Sequence, residues 1–336
     1  MWMLLALLIF DPAAARQKLA DPPARLQILA AFEDLSRGEV EAARAEGLAA
    51  PIAALVAAPT TPVAERILAV RALGRLGGEA AIQALAPLLS GPAGPEGTAV
   101  AREAAGALAR MGAAEALAPA LAASDPELRA TAAGAGAAPA QLCARLSDAW
   151  PEVRIAAARG LAHHPDQAAC LGPALSDRDP RVQAAAARAA SAVKNPTLVA
   201  PLRALAGNAK AALDARAEAF VALGVLGDFE PAERALAAHL SQGGIEALAE
   251  AAIQALASRG NPADRDRVRA ALASPTPVVR AAAARALALL GDQASIPAIR
   301  AQLQATPAQH RAVLQQALET LGEPSPEADP AAADPE

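Results

Sequence analysis

The chain has 336 residues, a net charge of −5 and a pI near 5.5, so it lacks the basic balance of a nucleic-acid-binding domain. Hydrophobic residues make up 54% of it but aromatics only 2%, with no tyrosine, which leaves no aromatic ladder for stacking single-stranded bases. Most of the apolar share is alanine, the strongest helix former, and nothing reads as a strand.

The first segment, Met1–Phe10, reads MWMLLALLIF. Ten apolar residues are too few for a bilayer span, which takes about 20. Two readings stand for residues 1–15. They form a secretory h-region with a small-residue cleavage site at Ala13-Ala14-Ala15, or an apolar helix that caps the N-terminal end of the folded body. The first favours an exported or envelope location and the second a cytoplasmic one. No cysteine succeeds the apolar run at the position a lipoprotein needs.

From there to Gly322 one pattern recurs. Its clearest form is PVVRAAAARALALLGD, Pro277–Asp292, with an Arg and a Gly eleven residues later at Arg280 and Gly291. Matching anchors in chain order are a faint Gln27 with Gly38, then Arg66 with Gly77, Ala101 with Gly112, Arg216 with Gly227, Ala249 with Gly260, and Arg311 with Gly322. Arg129, Arg154 and Gln183 open copies without the glycine. Successive spacings from Arg66 are 35, 28, 25, 29, 33, 33, 31 and 31 residues. A period of this size marks a stacked repeat array, each copy too small to bury its apolar face alone.

Each copy predicts two helices. Asp125-Pro126 and Asp179-Pro180 read as N-cap and first helical residue. Glycine after three turns ends the first helix, as at Gly291. Ile296, Ile299 and Leu303, three and four apart, give the second helix one apolar face. The unbroken period predicts one elongated repeat domain over residues 16–322. Beyond it, Glu323–Glu336 is rich in Pro, Ala and acid without apolar period and is predicted to be a disordered tail.

Several residue types bear on chemistry. Cys143 and Cys170 fall in second helices of adjacent copies. Aligned on Leu142 and Leu171 they are two positions apart, roughly 200° round a helix. They are therefore predicted to be two free, half-buried small apolar residues. His163 and His164 are adjacent, about 100° apart on a helix, and read as exposed turn residues rather than ligands of one ion. No serine or cysteine stands in a nucleophile elbow. No catalytic residue, metal or cofactor is expected.

What remains is a surface. Arg203, Arg269 and Arg300 each come directly after the apolar residue of a second helix, Leu202, Val268 and Ile299, with Arg234 close to the same track. Stacked helices about 8–10 Å apart would make a stripe of them, suited to carboxylates of an acidic or extended polypeptide. Codon usage also accounts for arginine at many exposed positions, since 27 of the 30 basic residues are Arg. Trp150, before Pro151, is a second candidate contact, or else fills the gap left by the short 25-residue spacing.

The VRAAAARALALLGD…SIPAIRAQL pattern, with DRDPRV at Asp177–Val182, resembles HEAT repeats of the short, bacterial, phycobilisome-lyase-like kind, over Pro22 to Gly322. The resemblance implies an all-α, right-handed α-α superhelix of about nine to ten helix pairs, with second helices on the concave face. It implies a non-enzymatic scaffold that holds a protein partner; oligomeric state is left open. The alternative it implies is a bilin-lyase-type enzyme or accessory, but no clustered Cys and His lines a chromophore groove. Di-iron hydroxylases of this architecture use His-Glu pairs, and this chain has no His-Glu dipeptide.

Overall fold

The computed structural model describes residues 10–90, 94–135, 137–261 and 263–323, and all regular structure among them is helical. The chain divides into two compact units, Met1–His163 and His164–Glu336. In each, first and second helices alternate, as the repeat predicts. The first helices of the first unit are Pro22–Ala31, Val63–Leu76, Pro95–Arg110, Pro126–Gly134 and Pro151–Leu161. Those of the second are Pro180–Val193, Leu213–Val225, Glu246–Arg259, Pro277–Leu289 and Ala308–Thr320. Within each unit every first helix packs on the next. Alanine makes that possible: from Val279 to Ala284 the helix Pro277–Leu289 is buried throughout. Small side chains let axes approach, and leucines of the second helices fill the remaining volume.

The repeat signature has a local cause. The anchor residue is the fourth of its first helix at Arg25, Arg66, Arg129, Arg154, Gln183, Arg216, Arg280 and Arg311. From there it reaches back over the preceding loop and donates to main-chain carbonyls. Arg154 donates to Asp148 O (2.9 Å), Gln183 to Asp177 O (2.6 Å), and Arg280 to Ser274 O (2.8 Å) and Pro275 O (2.9 Å). These carbonyls would otherwise be left without partners where the preceding helix ends. Arg154 and Arg280 are buried, and these bonds offset the cost of taking a guanidinium out of water, although Arg280 Nε is left without a partner among the described residues.

The first copy departs from the sequence reading. Its anchor is Arg25, whose Nε donates to Leu19 O at 2.9 Å, and not Gln27. An extra helix, Arg37–Ala45, comes next, and Gly38 lies inside it instead of ending a helix. This insertion pushes the next anchor to Arg66 and blurs the period. Caps behave as read: Asp125 accepts from Leu128 N and Asp179 from Arg181 N. Gly291, at φ 61°, supplies the left-handed step that ends Pro277–Leu289.

The cysteine expectation is overturned. Neither cysteine is free; Cys143 and Cys170 are both disulfide-bonded. The angular comparison assumed α-helical geometry at both sites. Cys143 lies in the α-helix Pro139–Arg145, but Cys170 ends a 3-10 segment, Pro165–Cys170, where side chains take a different angular step.

Both readings of the N-terminus depend on residues 1–9, which lie outside the described residues. Ala13–Ala15 belong to helix Pro12–Ala20, capped by Asp11 and burying Ala15 and Leu19. Residues 324–336, most of the acidic tail, also lie outside the described residues. No described helix is long and apolar enough to cross a membrane.

Candidate partner-binding site

The second helices place the arginines in the predicted register. Leu202, Val268 and Ile299 are fully buried, and Arg203, Arg269 and Arg300 stand next to them. Each arginine is already engaged. Arg203 grips both oxygens of Asp228, with Nη2 to Oδ1 at 2.6 Å, and reaches Glu230 at 3.3 Å. Arg269 grips Asp292 in the same way, with Nε to Oδ2 at 2.6 Å, and also Asp266 at 2.7 Å. Arg300 pairs with Glu323. The acids share one place in the repeat: each comes directly after the glycine that ends the next first helix, Gly227, Gly291 or Gly322. The stripe is therefore a row of ion pairs binding a second helix to the corner after it.

The pairs differ in depth. Asp292 is 2% exposed, whereas Glu323 keeps 34% of its side chain in solvent. Hydrogen bonds from Arg269 outweigh burial and hold the Asp292 carboxyl below its ordinary pKa. In the first unit, Arg102 does the same for Asp125 through two bonds of 2.9 and 2.8 Å.

Arg234 is different. Its side chain is 72% exposed and, among the described residues, pairs only with Glu230, one turn earlier, at 3.3 Å. Trp150 belongs to the other unit. It is the N-cap residue of Pro151–Leu161, 52% exposed, and its amide donates to Asp148 Oδ1 at 3.0 Å. It stands in solvent rather than filling a gap.

Arg203 and Arg234 meet across a groove in the second unit. It opens between the second helices Val199–Gly207 and Glu230–Gln242, over Leu213–Val225, with a volume of about 410 Å³. Phe220, Pro231 and Leu248, all buried, form its apolar floor. Ile245, 46% exposed, is one wall. Arg216 completes the floor. Three arginines and no acid line the groove; Arg203 and Arg234 pair with Asp228 and Glu230 beside it, whereas Arg216 holds no carboxylate among the described residues. Arg269 and Arg300 are not part of it.

Sequence reading identified Arg203 and Arg234 but treated Arg216 only as a repeat anchor, and missed Phe220, Ile245 and Leu248.

Known proteins share the helix-pair pattern. HEAT repeats match residues 139–224 and 233–322, together more than half of the chain. The PBS lyase HEAT-like repeat matches residues 65–91. No curated protein matches. Among solved structures, an engineered protein is 18% identical, covering 94% of this chain and 100% of its own, with a TM-score of 0.43. The Escherichia coli protein YibA is 16% identical over 88% of this chain and 96% of its own, with a TM-score of 0.48. Human deoxyhypusine hydroxylase in complex with glycerol is 20% identical over 82% and 96%, with a TM-score of 0.31. On the strength of the matched repeats and their stacked helix pairs, this chain belongs to the HEAT-repeat family.

Proposed function

We propose that the protein is a non-enzymatic scaffold that holds a polypeptide partner on its second-helix face, in the groove between Val199–Gly207 and Glu230–Gln242. The observation that supports this most is an apolar recess with the exposed Ile245 at its wall and Arg203 and Arg234 at its lip. Apolar floors with a charged rim suit a peptide that inserts a side chain and pairs its acids outside. Guanidinium groups are the only ionisable groups lining the groove, and they stay protonated at any physiological pH. Such a lining binds anions but offers no proton donor or acceptor tuned for general acid–base chemistry.

A photo-crosslinking amino acid at Ala235, which lines the groove, tests the reading in the native host. One protein should be captured there and not from Glu218, on the first-helix face. Equal yields at both positions, or none at Ala235, would sink it.

A further inference from the structure

Arg216 makes fewer bonds than Arg129, Arg154 and Arg280. Arg129, Arg154 and Arg280 each give an Nη group to two carbonyls five or six residues back. Arg216 gives only Nε, to Ala206 O at 3.1 Å, ten residues back. Among the described residues, neither of its Nη groups has an acceptor. The side chain is half-buried on the groove floor beside Phe220. The guanidinium is partly open to solvent, and its Nη groups carry four N–H donors that no protein acceptor uses. Its planar fork matches a carboxylate bidentately.

We infer that Arg216 is the recognition residue of the groove, and that the partner presents an Asp or Glu side chain to it with an aliphatic residue close by in sequence. This rests on the groove being a polypeptide site. The carboxylate takes the open Nη edge of Arg216, and the aliphatic side chain lies between Ile245 and Leu248. Arg203 and Arg234 add to the attraction from the lip, but both already hold carboxylates. Arg216 does not, so the discrimination falls to it.

Random 12-residue peptides displayed on phage and selected on the full chain provide the probe. Recovered peptides should share an Asp or Glu within two residues of Leu, Ile, Val or Met. A synthetic copy should lose at least tenfold in affinity when that acid becomes Gln, and equally when the protein carries Arg216→Gln. Arg66 makes the same single bond, Nε to Val56 O at 3.1 Å, in the other unit, so R66Q controls for structural loss and should leave binding intact. If Arg216→Gln fails to fold, I245D decides, since Ile245 is exposed; it should also weaken binding at least tenfold. Peptides that lack acids yet need Ile245 would overturn the role of Arg216 and leave the groove as a peptide site. No enrichment, or peptides indifferent to both substitutions, would overturn both readings.

Discussion

Gly224 and Ala255, on adjacent first helices, approach so closely that a Cβ added to the glycine would lie 2.7 Å from the alanine Cβ and 3.0 Å from its Cα. The obstacle is main chain and a short side chain, so neither can swing aside. Gly74 has the same relation to Ala107 in the first unit, at 2.9 Å. Glycine here is a packing residue in the last turn of a first helix, tolerated despite its lower helix propensity.

Gly224→Ala should therefore destabilise the protein, by up to about 2 kcal/mol once the propensity gain of alanine, about 1 kcal/mol, is set against overpacking of about 1–3 kcal/mol. Gly106, in mid-helix with only Arg110 near its missing Cβ, should respond oppositely, gaining up to about 1 kcal/mol as alanine. Urea midpoints of the two variants check the sign, and a stabilised Gly224→Ala would show that the helices can slide apart.

Arg280→Ala should cost about 2–4 kcal/mol. Three carbonyls, of Ser274, Pro275 and Ala305, lose a charged donor in a buried place. Lysine at the same position should recover only part of it, because one ammonium cannot span three acceptors. Thermal unfolding of the pair, with amide exchange measured at residues 274–276, separates this from a general loss of packing.

The Arg269–Asp292 pair makes stability depend on acid. A carboxyl whose folded pKa is depressed stabilises the fold above its unfolded value, about 3.9, and loses that contribution as pH falls through the folded value. Asp292→Asn should thus cost about 1–3 kcal/mol near neutrality. The gap to wild type should narrow steadily as pH is taken below about 4. Urea midpoints at pH 7 and pH 3 measure it, and an equal gap at both would refute the depressed carboxyl.

The arginines of the predicted stripe should not behave alike. Arg269→Ala strands the buried Asp292 and should lower the unfolding midpoint clearly. Arg300→Ala faces a half-exposed Glu323 and should hardly move it, as surface ion pairs contribute little. From sequence alone the three positions look equally expendable. Equal midpoints for the two single variants would restore that view.

Alkylation of the unfolded, unreduced protein should find no thiol at Cys143 or Cys170, and reduction should release both. Mass spectrometry before and after reductant reads the result directly; a labelled cysteine without reductant contradicts it.

The repeat, its caps and the register of Arg203, Arg269 and Arg300 were all legible in the sequence, because they arise from local spacing. The acids were visible too: Asp228, Asp292 and Glu323 each succeed a repeat glycine, 25, 23 and 23 residues after their arginines. That offset was not read as pairing, so engaged arginines looked like free cations. The groove was not legible. It depends on how far the helix Glu230–Gln242 stands from Val199–Gly207, and no periodicity encodes that distance. The insertion Arg37–Ala45 hid for a simpler reason, since its Gly38 imitates a repeat terminus.

The fourth-residue arginine has one more consequence, for anyone who would shorten or splice this chain. The covalent unit is a helix pair, but the hydrogen-bonded unit runs from one helix pair into the first turn of the next. The two are out of phase. A chain cut in the loop after Ile296–Ala305 would keep both helices of its last pair yet lose Arg280's counterpart, Arg311, which serves Thr306 O. A cut placed after Arg311 and the turn that carries it would keep the seal. Shuffled versions of this protein should be joined within first helices, downstream of the anchor, and not at the loops where the eye divides them.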